Sequence, residues 1–129
     1  MAEGITVKGV TELLRNLGAT QKELDDAVAE ALYQEGLVLQ AESSKEVPVK
    51  SGRLRQSSFV TVPKPGPNAE TEIGYGTDYA LPVHERVEVH HPVGKANFLR
   101  DPFNRMRTGY TERLGKRIAA RWRAGRKGG

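Results

Sequence analysis

The chain contains no cysteine in 129 residues, which excludes a disulfide framework and thiolate chemistry. Aromatics are scarce at 6%, and 14 glycines with 7 prolines punctuate the chain, so a modest core with generous loops is expected. No apolar run approaches the roughly 20 residues that a bilayer-crossing helix needs. The opening Met1-Ala2-Glu3-Gly4 lacks the basic start and apolar stretch of a secretory signal. These absences lead us to expect no membrane contact, and a protein made and used in a cytoplasm or in something assembled there. Enzyme signatures are missing too: there is no G-x-S-x-G elbow, no phosphate-cradling G-x-x-x-x-G-K-S/T loop and no dinucleotide fingerprint. We therefore expect neither catalysis nor a cofactor.

What is present is charge, unevenly placed. Residues 1–97 hold 10 Lys/Arg against 14 Asp/Glu, whereas residues 98–129 hold 10 against 2. A basic C-terminal quarter on an otherwise acidic chain calls for a polyanion or an acidic protein surface as neighbour. The length suits one domain, taken as residues 1–124, followed by a basic flexible tail over 125–129.

Residues 4–8 alternate apolar and polar as a short strand would, and Thr11 is placed to cap a brief helix bearing Leu13, Leu14 and Leu17 and ended by Gly18. Thr20 with Glu23 forms a capping-box pattern, opening a long helix at about 21–46, roughly 39 Å in length. Leu24, Ala27, Val28, Ala31, Leu32, Val38 and Leu39 share one stripe of it, and Glu35 and Glu42 fall in the middle of that stripe. Two carboxylates stacked on one helix do not face each other across a cleft as glycosidase acids do. Pairing with bases such as Arg53 or Arg55, or with a neighbouring subunit, is the expectation, because unpaired buried carboxylates are costly. Gly36 permits either a close approach or a bend.

Pro48 stops the helix, Ser51-Gly52 supplies a turn in which Gly52 can take positive φ, and an extended chain follows with Arg53 and Arg55 on one side. The plainest reading of this corner is a helix–turn–strand junction with two solvated arginines. Residues 57–63 and 70–76 then read as a hairpin around the Lys64-Pro65-Gly66-Pro67-Asn68 turn, with Tyr79, Leu81 and Val83 continuing the sheet to an edge marked by Pro82. Between 84 and 91 stand three histidines and two carboxylates. On a strand His84 and His90 lie about 20 Å apart, too far for one ion; polar residues on an exposed loop are expected there, and no metal. Asp101-Pro102 reads as a helix start, followed by a stripe of Phe103, Met106, Tyr110, Leu114, Ile118 and Trp122 on one helix of about 20 residues. Arg113, Lys116, Arg117, Arg121 and Arg123, with Arg126 and Lys127 beyond, are candidates for contact with DNA or an acidic partner. The fold expected is α+β: a long N-terminal helix and a C-terminal amphipathic helix packed on a small antiparallel β-sheet with long loops.

The run Val47-Pro48-Val49-Lys50-Ser51-Gly52-Arg53-Leu54-Arg55-Gln56-Ser57 resembles a segment of the head–tail joining, or tail-completion, proteins of long-tailed bacteriophages, also labelled minor capsid or minor tail proteins. Ile73-Gly74-Tyr75, Asp78-Tyr79-Ala80, Val83-His84-Glu85 and the stretch from His91 to Leu99 match in the same order, so the resemblance covers roughly residues 10 to 120. Each motif is short; their order and spacing carry the likeness. One departure is Lys50-Ser51, where the family more often has Asp-Thr. The resemblance implies a structural virion protein in a homo-oligomeric ring, a hexamer, at the neck of the particle. Such a ring sits between the head-closure connector and the tail-terminator or tail-tube proteins, with genomic DNA passing through its lumen. It also implies an extended loop over 84–97 that reaches neighbouring subunits. His84, Glu85, Arg86, Glu88, His90, His91 and Lys95, with Glu35, Glu42, Arg53 and Arg55, are then candidate interface residues. The competing reading is a small basic nucleic-acid-binding domain, against which stands the lack of a helix-turn-helix, zinc finger or aromatic-studded RNA-binding sheet.

Overall fold

The computed structural model describes residues 7–47, 52–76, 79–84 and 97–127. The first helix, α1 (Val7–Asn16), begins earlier than the sequence suggests. Val7, Val10 and Leu14 recur at helical spacing and pack on the core, which outweighs the short alternation read as a strand; residues 4–6 lie outside the described residues. Thr11 is therefore not a cap: it sits inside the helix, where its Oγ1 donates back to Lys8 O at 3.0 Å. Gly18, at φ 105°, ends the segment as expected.

The long helix α2 (Gln21–Ser44) opens on the capping box: Glu23 N–H donates to Thr20 Oγ1 and Thr20 N–H donates to Glu23 Oε1. Leu24, Ala27, Val28, Ala31, Leu32 and Leu39 are buried, while Val38 faces outward. The helix stops at Ser44, short of Pro48, which lies outside the described residues.

After it the chain forms a short helix, α3 (Gly52–Gln56), where an extended segment was expected. Leu54 turns in against the core, and Ser57 closes the turn by donating both its N–H and its hydroxyl to Leu54 O. Arg53 and Arg55 thus leave the helix in different directions instead of sharing one side.

Strands β1 (Ser58–Val60), β2 (Glu70–Tyr75) and β3 (Tyr79–His84) form an antiparallel sheet in the order β1-β2-β3. Phe59 pairs with Gly74, and Ile73 with Leu81. The hairpin expected over 57–76 is present, with Gly66 and Asn68 at positive φ in its tip. Thr71, Ile73 and Tyr75, two apart along β2, are all buried on the face that α2 covers. A Cβ on Gly36 would stand 3.0 Å from Val60 Cγ1 and 3.3 Å from Thr71 Cγ2. The glycine inside α2 therefore allows close approach of helix and sheet.

The single C-terminal helix read from the sequence is two helices, α4 (Asn97–Met106) and α5 (Tyr110–Lys127). Gly109, at φ 80°, breaks the stripe between Met106 and Tyr110. Nor does Pro102 start a helix; it lies inside α4. Proline lacks the N–H that would bond to the carbonyl four residues back, Phe98 O. Ser43 Oγ supplies the missing donor at 2.6 Å, and Tyr75 Oη donates to Ser43 Oγ at 2.7 Å. Ser43 is fully buried and Tyr75 nearly so, and the Tyr75 and Phe98 rings meet edge to face at 5.0 Å. Burial pushes the Tyr75 hydroxyl pKa above its ordinary value. Because α5 runs to Lys127, residues 125–127 are helical and not part of a loose tail.

The core joins α1, α2, β2, α4 and α5 around Leu24, Leu32, Ile73, Leu99, Leu114 and Ile118. Each such side chain, fully buried, contributes about 1.5–3 kcal/mol relative to exposure. The architecture is α+β, with helices at both ends of the chain and the sheet between them.

Candidate functional site

Charge is concentrated where α2 and α5 lie antiparallel. As α2 runs forward α5 runs back: Glu23 meets Trp122, Glu30 meets Arg121, and Glu35 meets Arg113 and Arg117. Glu35 is only 3% exposed. Arg113 reaches it with two nitrogens, Nη2 donating to Oε2 at 2.5 Å and Nε to the same oxygen at 3.1 Å. Arg113 Nη2 also donates to Met106 O at 2.6 Å and Nη1 to Thr108 O at 3.1 Å. One guanidinium thus joins the buried carboxylate to carbonyls left unpaired where α4 ends. Arg117 Nε lies 3.5 Å from Glu35 Oε1, an ionic contact without hydrogen-bond alignment, and this buried nitrogen has no hydrogen-bond partner among the described residues.

The pairing expected for Glu35 and Glu42 is with bases, and bases they meet, but not Arg53 or Arg55. Glu42 pairs at 2.9 Å with Lys45, the residue that caps the end of its helix, and that contact lowers its pKa from the ordinary carboxylate value. Arg55 donates to Val47 O at 3.1 Å, tying α3 to the exit of α2. Arg53 is exposed, and neither arginine forms an ion pair with a carboxylate of α2.

The basic residues proposed from sequence for DNA or an acidic partner divide in two. Arg113, Arg117 and Arg121 recur every four residues and are engaged by carboxylates of the same chain. The complementarity of acidic and basic helices is met at least in part within one chain, where an inter-subunit contact was expected. Lys116 and Arg123 lie on the outward side of α5, exposed and with no ion pair among the described residues. Arg126 stands over the Trp122 ring, 4.8 Å from its centre. Lys127 is the last residue of α5.

At the far end of the seam, Glu23 is shared between the cap and α5, its Oε1 accepting from Thr20 N–H and from Trp122 Nε1. These bonds, the backbone one foremost, lower its pKa below the ordinary 4.5. The capping box was legible in sequence; the tryptophan was not, since it lies 99 residues away. The Glu30–Arg121 and Glu46–Arg105 pairs were missed for the same reason. The one available signal was spacing: acids at 30 and 35 match bases at 121 and 117 or 113 once the helices are taken as antiparallel.

His84 ends β3, opposite Glu70. Glu85, Arg86, Glu88, His90, His91 and Lys95 lie outside the described residues. Among the described residues no group of three or more His, Asp or Glu is placed to hold a metal ion. No described helix is long and apolar enough to cross a membrane. Comparison of the chain with known protein families, with curated proteins and with solved structures finds no match.

Proposed function

We propose that this chain is a structural subunit of a long-tailed bacteriophage, assembling as a ring at the neck and joining the DNA-filled head to the tail. The observation that carries the reading is where the head–tail joining motifs fall in the fold. Val47, Leu54, Ile73, Tyr75, Phe98 and Leu99, drawn from three of those separated motifs, all belong to one apolar cluster or pack directly on it. Residues that resemble a family in order along the chain also meet in space, as a shared fold requires. The work proposed is binding: a hexameric ring contacts the head-closure connector on one side and tail-terminator or tail-tube proteins on the other, with DNA in its bore. The stretch of sequence from 84 to 97 and exposed parts of α2 are the proposed subunit contacts.

The test is assembly in infected cells lacking this chain. Filled heads and finished tails should accumulate side by side without joining, and adding the purified 14.2 kDa chain to the extract should restore joined particles. Normal yields of joined, infectious particles without the chain would overturn the proposal.

A further inference from the structure

The division of α5 into two basic rows has a consequence for what the helix can bind. The inner row, Arg113, Arg117 and Arg121, is engaged by Glu35 and Glu30. The outer row is Lys116, Ala120 and Arg123, spaced four and three apart and exposed throughout. Favourable interaction with the helix dipole accounts for bases only in the last turn, which covers Arg126 and Lys127 but neither Lys116 nor Arg123. Glu112, one turn before Lys116, is the one carboxylate on this row and makes no ion pair with it.

We propose that this outer row binds the phosphate backbone of nucleic acid without regard to sequence. Protein interfaces are anchored chiefly by buried aromatic and arginine side chains, and of these the row offers only Arg123: between its two cations stands only the methyl group of Ala120. It carries no Asn or Gln to read adenine, and its two cations, though of a kind that can meet a guanine edge, find phosphates on every sequence. What remains is charge on a straight scaffold, Lys116 and Arg123 being about 10 Å apart along the axis. A duplex presents a phosphate for roughly every 1.7 Å of its length. The assignment deepens the neck reading by naming DNA phosphates as a contact, and rests on that reading only for its biological setting.

The experiment titrates a labelled 30-base-pair duplex of arbitrary sequence with the purified full chain, in parallel with a labelled polyglutamate peptide. Two double variants are compared, Lys116→Glu with Arg123→Glu, and Lys8→Glu with Lys64→Glu. Lys8 and Lys64 are exposed residues elsewhere, and the second variant alters net charge equally. Circular dichroism confirms that both fold. For two or three phosphates the logarithm of affinity should fall with the logarithm of salt at a slope of about −2, roughly fifteenfold between 50 and 200 mM. The outer-row variant should lose about tenfold or more in affinity and flatten that slope, while the control stays within about twofold. Equal loss in both variants would reduce the effect to net charge and overturn the assignment. So would tighter binding of polyglutamate than of duplex, which makes an acidic protein the partner, or no duplex binding at about 50 mM salt. Because binding is read on the isolated chain, its failure leaves the neck reading intact, and particles that join without the chain leave the binding intact.

Discussion

On one side α2 meets α5 through ion pairs beside their shared apolar core; on its other side it meets the sheet through close backbone approach. Neighbouring residues mark the change: Glu35 takes two arginines of α5, and Gly36 makes room for Val60 and Thr71. The charged side depends on partners being present, since a buried carboxylate without its counterion is heavily penalised. The sheet side depends on volume, since nothing larger than hydrogen fits at Gly36 without displacement. A helix between two such surfaces is fixed in rotation by one and in distance by the other.

The sharpest way to break the charged side is Arg113→Ala, which leaves Glu35 with only the poorly aligned Arg117 and frees the Met106 and Thr108 carbonyls. A loss of about 3 kcal/mol is expected in urea unfolding. Glu35→Leu combined with Arg113→Met should recover most of it, because an apolar replacement removes the unpaired charge along with its partner. On the sheet side, Gly36→Val should cost about 2 kcal/mol by overpacking against Val60, and pairing it with Val60→Ala should return part of that. Ser43→Ala tests the hydrogen-bond chain at the same surface. It leaves Phe98 O without the donor that Pro102 cannot supply, and about 1–2 kcal/mol should be lost, with a change in tyrosine near-ultraviolet dichroism.

Acid probes the shared Glu23. Its folded-state pKa is lowered, so its contribution is fully present above about pH 4.5 and is lost as pH falls through the lower folded value. Thermal melts from pH 6 to pH 3 should show that part of the acid sensitivity vanish in Glu23→Gln, with Trp122 fluorescence reporting the contact. The smallest effect belongs to the exposed pair: Arg121→Ala should cost no more than about 0.5 kcal/mol in urea unfolding, although its partner Glu30 lies on the same seam as Glu35. A loss comparable to that of Arg113→Ala would erase the distinction between buried and exposed pairs.

Local chemistry was legible in the chain. The Thr20–Glu23 box, the stop at Gly18, the body of α2 and the hairpin around Gly66 and Asn68 depend on residues a few positions apart. Where expectation failed, something distant had intervened. Packing of Leu54 against the core favoured a helix over Gly52–Gln56, and the help of Ser43 let Pro102 sit within α4. The misread at Gly109 was different: both one long helix and two short ones satisfy the same apolar spacing, and only the observed φ and Arg113's grip on the turn decide between them.

For the candidate site, sequence by itself determined that the C-terminal quarter is basic, that Glu35 lies on an apolar stripe where a carboxylate needs a partner, and that the long helix begins at its cap. It could not say which cations are occupied. That depends on α5 running back along α2, which brings Arg113 to Glu35 across 78 residues and leaves Lys116 and Arg123 facing outward. The physical reason is range: caps and turns are fixed by hydrogen bonds between near neighbours, whereas ion pairing follows whatever the core brings together.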